Sequence, residues 1–206
     1  MPKNVKEQPN KNKALAINNN KMKKKKVIGI IGEQAGGKGA VADLIVEKFG
    51  GARLTTSDIL KKILDNLYLE YNRDNLTELA LSLKDSFGKD ILMKAMLEEV
   101  KSADEELVIV DGIRMKGDTD PFEKEYGPNF KLIYVTADPK IRYERSKSRG
   151  EKKQESSQDY ETFLEKEKTG TEKDIAEIGQ KAYSQINNNG TWEELEKQVL
   201  ETISLL

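Results

Sequence analysis

Val27-Ile28-Gly29-Ile30-Ile31-Gly32-Glu33-Gln34-Ala35-Gly36-Gly37-Lys38-Gly39-Ala40 is the stretch on which the fold turns. Its first five residues form a short, largely β-branched run, which predicts a buried strand. The next eight, Gly32 to Gly39, fit G-x-x-x-x-G-K followed by glycine. Glycines let successive backbone N–H groups curl around phosphate oxygens, and a lysine after them can reach the outer phosphates. From Ala40 the apolar residues Val41, Leu44, Ile45 and Phe49 recur at helical spacing until Gly50-Gly51. The loop therefore runs into a helix N-terminus, which also favours an anion. The residues expected to line a phosphate-bearing ligand are Gly32, Ala35, Gly36, Gly37, Lys38, Gly39 and Ala40.

Outward from this loop, apolar runs alternate with helical patterns. Strands are expected at Arg53–Thr56, Leu107–Val110 (ending at Asp111-Gly112), Phe130–Val135 and Gln185–Asn187. Helices are expected from Ser57 or Asp58 to about Tyr71, from Asp74 or Asn75 to near Gly88, from Asp90 to about Lys101, over about 140–149, over about 171–182, and from Thr191 to the end. The last has Trp192, Leu195, Val199, Ile203 and Leu206 on one face. Such alternation predicts a mostly parallel sheet covered on both faces. Residues 150–170 read as a polar, mobile surface segment.

Composition narrows the chemistry. The chain has 206 residues, enough for one α/β domain with a core. It contains no histidine and no cysteine, so imidazole acid/base chemistry, His or Cys metal ligation and disulfides are all excluded. The lack of cysteine fits a reducing cytoplasm, and no apolar run reaches membrane-spanning length. Residues 1–26 carry nine lysines and one acidic residue, net +8, which leaves −9 on the other 180 residues. Residues 1–25 are expected to be a disordered Lys/Asn-rich tail and 26–206 the folded domain. Such a tail has the composition of a nucleic-acid arm, but a solvated leader is the expected reading.

With these motifs in hand, the chain resembles the P-loop nucleoside monophosphate kinases of the adenylate-kinase group. It looks most like a largely archaeal branch described as adenylate-kinase-related or dephospho-CoA-kinase-like. The resemblance spans about residues 26–203, in order. Gly-Lys-Gly is how the loop reads in adenylate kinases, although Ala40 stands where they carry Thr. Thr55-Thr56-Ser57-Asp58-Ile59-Leu60-Lys61 resembles their Ser-Thr-Gly-Asp-Met-Leu-Arg segment. Asp58 would then lie near a metal's water shell and Lys61 would hold the acceptor phosphate without arginine's fork. Asp111-Gly112-Ile113-Arg114 resembles the Asp-Gly-x-Arg of the archaeal branch, with Asp111 orienting the water of Mg²⁺ and Arg114 on the acceptor. Arg145 and Arg149, one helical turn apart, resemble the arginines opening the family's lid, and would meet the transferring phosphates. Arg73 would reach the acceptor, and Asn188, in Asn187-Asn188-Asn189-Gly190-Thr191, would border the adenine.

The resemblance implies the P-loop NTPase fold, a three-layer α/β/α sandwich with a parallel sheet. It adds a helical insert for the monophosphate (about 58–103) and a short lid (about 150–170). It implies ATP and Mg²⁺ as cofactors and transfer of the γ-phosphoryl group to an AMP-like or deoxynucleotide acceptor. Alternatives are dephospho-CoA kinase, with Asp58 as base for a ribose hydroxyl, and a non-catalytic regulatory ATP-binding protein. The residues alone also permit plainer roles, with Asp58 a helix cap, Lys61 a surface lysine and Asn-Gly-Thr a turn with its cap. No oligomeric state is readable.

Overall fold

The computed structural model describes residues 25–148, 159–168 and 172–206, except for the side chain of Arg73. Five parallel strands form one sheet in the order β2-β3-β1-β4-β5. Strand β1 (Lys26–Ile31) is central, flanked by β3 (Leu107–Asp111) and β4 (Phe130–Thr136). Strands β2 (Ala52–Thr55) and β5 (Ser184–Asn187) form the edges. Along β1, Ile28 and Ile30 enter one apolar cluster, while Val27 and Ile31 enter the other. That is the period of two expected of a strand covered on both faces, and it explains why the run is continuously apolar.

On one face α1 (Lys38–Phe49) supplies Val41, Leu44 and Ile45, and α9 (Trp192–Ser204) supplies Leu195 and Val199. On the other lie α4 (Ile91–Ser102), α5 (Asp120–Tyr126) and α8 (Ile175–Gly179). Each fully buried aliphatic side chain here contributes about 1.5–3 kcal/mol. Of the stretch 58–103 expected as an insert, α4 belongs to this layer through Leu92, Met93, Met96 and Val100. Helix α2 (Thr56–Asn66) reaches the same cluster through Leu60, and α3 (Arg73–Phe87) packs against it through Leu76, Leu79 and Leu83, with no fully buried residue among its described side chains.

Several sequence expectations need correction. Lys25, placed in the disordered tail, is buried, and its Nζ donates to the carbonyls of Val100 (2.6 Å) and Ala103 (2.7 Å). The ammonium caps the carboxyl end of α4, where carbonyls lack intrahelical partners. Residues 1–24 and 149–158 lie outside the described residues, Arg149 among them. Helix α2 ends at Asn66 rather than Tyr71, and Tyr68 beyond it turns left-handed at φ 57°. The stretch 150–170, expected to be mobile surface, contains α7 (Tyr160–Glu167). It is anchored by buried Phe163 and by Glu167, which accepts from the guanidinium of Arg142 on α6 (Pro139–Ser148). The helix expected over 171–182 shortens to α8, whose Gly179 packs directly on the Tyr134 ring. Helix α5 has no counterpart in the sequence reading.

Candidate active site

The phosphate loop leaves β1 at the carboxyl ends of the strands, where ligands of open parallel sheets bind. Gly32 lies against the Val135 carbonyl, so closely that a Cβ would collide with it. Ala35 sits at φ 59° and Gly37 at φ 104°, and Gly37 is the N-cap of α1. A Cβ on Gly37 would strike the amide of Asn188, whose Nδ2 donates to the Gly36 carbonyl at 2.9 Å. The loop is thus held from below by β4 and from the side by the turn after β5. Lys38 Nζ folds back on it, donating to the carbonyls of Gly32 (2.6 Å) and Glu33 (3.0 Å). Burial, and then the nearby Arg114 guanidinium, lower the Lys38 pKa to about 8, against the pull of Glu172, Asp111 and Glu33. Glu33 in turn accepts from the Tyr134 hydroxyl, while its other oxygen is buried without a protein donor among the described residues.

The acidic and basic residues expected around the loop fall into two groups. Asp111 ends β3 beside Thr55 of β2, and its Oδ2 accepts from Arg53 Nη2 at 2.5 Å. Asp58 lies in the first turn of α2, accepts from the Thr55 hydroxyl at 2.8 Å, and faces Lys61 at 3.5 Å. The plain cap geometry is therefore present, since Thr55 Oγ1 also accepts from the Asp58 amide. Arg114 follows the strand end and pairs with Glu172 at 2.8 Å. Arg73 is the first residue of α3, and only its backbone is described.

Above the loop, a cavity of about 220 Å³ is lined by Ala35, Gly37, Ala40, Arg145, Asn188, Thr191 and Trp192, among others. Arg145 therefore stands in the wall of this cleft, while Gly39 of the loop faces Arg53. No group of three or more potential metal-ligating acids occurs among the described residues. No helix among them is long and apolar enough to cross a membrane.

The sequence profile of the family described as AAA domain (AAA_18) matches residues 28–198. The chain belongs to this AAA-domain family. A relative of this AAA-domain chain is a UPF0200 protein of Methanosarcina barkeri, 27% identical over 87% of this chain and 95% of the relative. Another is a UPF0200 protein of Saccharolobus solfataricus, 25% identical over 85% and 91%. Among solved structures, shikimate kinase from Bacteroides thetaiotaomicron superposes with TM-score 0.60 at 16% identity, covering 87% of this chain and 97% of that one. A gluconokinase from Sinorhizobium meliloti gives 0.57 at 12%, covering 87% and 92%. At these identities the likeness establishes the P-loop kinase fold, matching the parallel sheet and covering helices of the AAA-domain chain.

Three residues of the AAA-domain site escaped the sequence reading. Arg53 reads only as a strand residue, and nothing local signals its pairing with Asp111. Glu172 lies far along the chain from its partner Arg114. Trp192 fits the apolar stripe of α9, yet it is 51% exposed at the cleft.

Proposed function

We propose that the chain is a cytoplasmic nucleotide kinase that transfers the γ-phosphoryl group of ATP to a (deoxy)nucleoside monophosphate, with an AMP-like acceptor favoured. The observation carrying this reading is the phosphate loop at the carboxyl ends of the strands, with Lys38 folded onto its carbonyls and Arg114 following the end of β3. Two cations held together in a partly buried cleft are a site for anions. Lys38, inside the loop, suits the phosphates of the donor, and Arg114, across the crevice, suits that of the acceptor. A phosphate acceptor is anionic near neutral pH, so positioning and charge neutralisation suffice without a histidine base.

The base of ATP fits the cleft beside Asn188, with Arg145 and Trp192 offering planar surfaces. Lys61 and Arg73 are further acceptor contacts. Magnesium suits a site with one or two carboxylates plus phosphate oxygens. That suits the single carboxylate of Asp111, here paired with Arg53, with Asp58 acting through water, better than a dedicated cage of acids. Asp111, with Asp58 through water, would hold such an ion, which would supply charge neutralisation at the outer phosphates.

A transfer screen with γ-labelled ATP tests this, offering AMP, CMP, UMP, GMP, the deoxynucleotides and dephospho-CoA, with Lys38→Ala as control. Label on a monophosphate that the control abolishes is the expected result. Label on dephospho-CoA alone would transfer the chain to the other acceptor class. ATP binding with no transfer to any of them would overturn the kinase reading in favour of a regulatory nucleotide-binding role.

A further inference from the structure

In a loop of the G-x-x-x-x-G-K-[S/T] kind, the hydroxyl after the lysine and a strand-end aspartate both face the divalent ion. Here the first position is Gly39, with no side chain, and the second is Asp111. Between them lies a guanidinium. Arg53 Nη2 is 2.5 Å from Asp111 Oδ2 and 3.4 Å from where a Cβ on Gly39 would stand. Its Nη1 donates to Asp43 Oδ1 of α1 at 2.6 Å, which fixes the fork from the other side. Its Nε is buried and has no acceptor among the described residues.

We infer that Arg53 is a built-in cation at the metal corner of this site, competing with the divalent ion for Asp111 and lending its own charge to the phosphates when the ion is absent. The inference rests on reading the loop as a nucleotide triphosphate site. A simple tether between β2, β3 and α1 explains Nη1 and Nη2, since both are paired with carboxylates. It does not explain why Nη2 stands beside the phosphate loop, 3.4 Å from where a Cβ on Gly39 would be. A phosphate bound on the loop there would meet the guanidinium, whose side chain is 29% exposed. The missing hydroxyl at position 39 has the same explanation, for a serine side chain there would stand against the guanidinium. A divalent ion drawn to Asp111 meets a fixed positive charge, whereas metal-free ATP meets a complementary one.

The test is ATP affinity by calorimetry, in chelator and in saturating Mg²⁺, for the wild type, Arg53→Gln and Arg53→Lys. With Arg53→Gln, metal-free affinity is expected to fall about tenfold through loss of a charge-assisted contact. The half-saturating Mg²⁺ concentration is expected to fall about threefold as a competing cation leaves. Arg53→Lys is expected to keep metal-free affinity within about threefold of wild type, because it keeps the charge. Arg53→Lys also keeps the idea testable if Arg53→Gln fails to fold, since a loss of metal-free affinity beyond about tenfold in it would overturn the charge role. Equal weakening of both affinities in Arg53→Gln, or no change in either, would reduce Arg53 to a tether. A wild-type chain that binds ATP in neither condition would overturn the site reading and this inference with it.

Discussion

The depressed pKa of Lys38 makes nucleotide binding a proton-uptake reaction. Free Lys38 titrates near about 8, because it is desolvated and faces Arg114. Polyphosphate oxygens in contact with its Nζ restore the protonated form, since a neighbouring anion favours the charged state. Affinity should therefore be flat below pH 8 and fall as pH rises through it. For a pKa of about 8, the protonated fraction drops from ~0.76 at pH 7.5 to ~0.03 at pH 9.5, a loss of roughly 25-fold in affinity. The phosphates themselves are fully ionised over this range, their last pKa being about 6. Calorimetry at pH 8 in two buffers of different ionisation enthalpy should report uptake of about half a proton per nucleotide. Lys38→Arg, charged at every pH used, should lose the slope while binding at all. Flat wild-type affinity from pH 7.5 to 9.5, or an equal slope in Lys38→Arg, would refute the reasoning. The nucleotide-free fold should move the opposite way. Unfolded chains hold the Lys38 proton up to about 10.5, so between about 8 and that value they bind more protons and stability rises with pH.

Three further outcomes are expected. Lys25→Met removes the ammonium from the carbonyls at the end of α4 and should cost about 1–3 kcal/mol, read as a lower urea midpoint with an unchanged slope. Gly37→Ala puts a Cβ into the Asn188 amide at φ 104°, and should abolish ATP binding in calorimetry while far-ultraviolet circular dichroism stays close to wild type. Arg142→Met leaves Glu167 without its partner in a largely buried setting and should destabilise by about 3–5 kcal/mol, with faster proteolytic cleavage near α7 as the local sign.

The sheet was legible because buried parallel strands are written as unbroken apolar runs. The phosphate loop was legible because glycines and a lysine must stand in fixed order between a strand and a helix. Asp111 and Arg114 followed from a strand end. What escaped depends on contacts across the chain. Helix α5 lies between Gly117 and Gly127 with Pro121 in its first turn, so breakers mask a short element that buries Phe122 and Tyr126. Half of helix α7 is charged, and its one fully buried residue, Phe163, gives it a place. Arg53, on an edge strand, meets Asp111 only because the register sets β2 beside the end of β3.

The position of β1 also governs when the molecule can fold during synthesis. Lys26 pairs with Leu107 and Val27 with Phe130, while β2 has β3 as its neighbour in the sheet. No strand meets a partner until the ribosome has passed Asp111, and the sheet centre waits for Phe130 and beyond. Such long loops make for slow nucleation. At about 5–20 residues per second, the nascent strand spends several seconds unpaired. The floor of the phosphate loop comes later still, from Val135, and its side support from Asn188. A nucleotide can therefore reward only a chain made through Asn188, and cannot guide the chain toward that state.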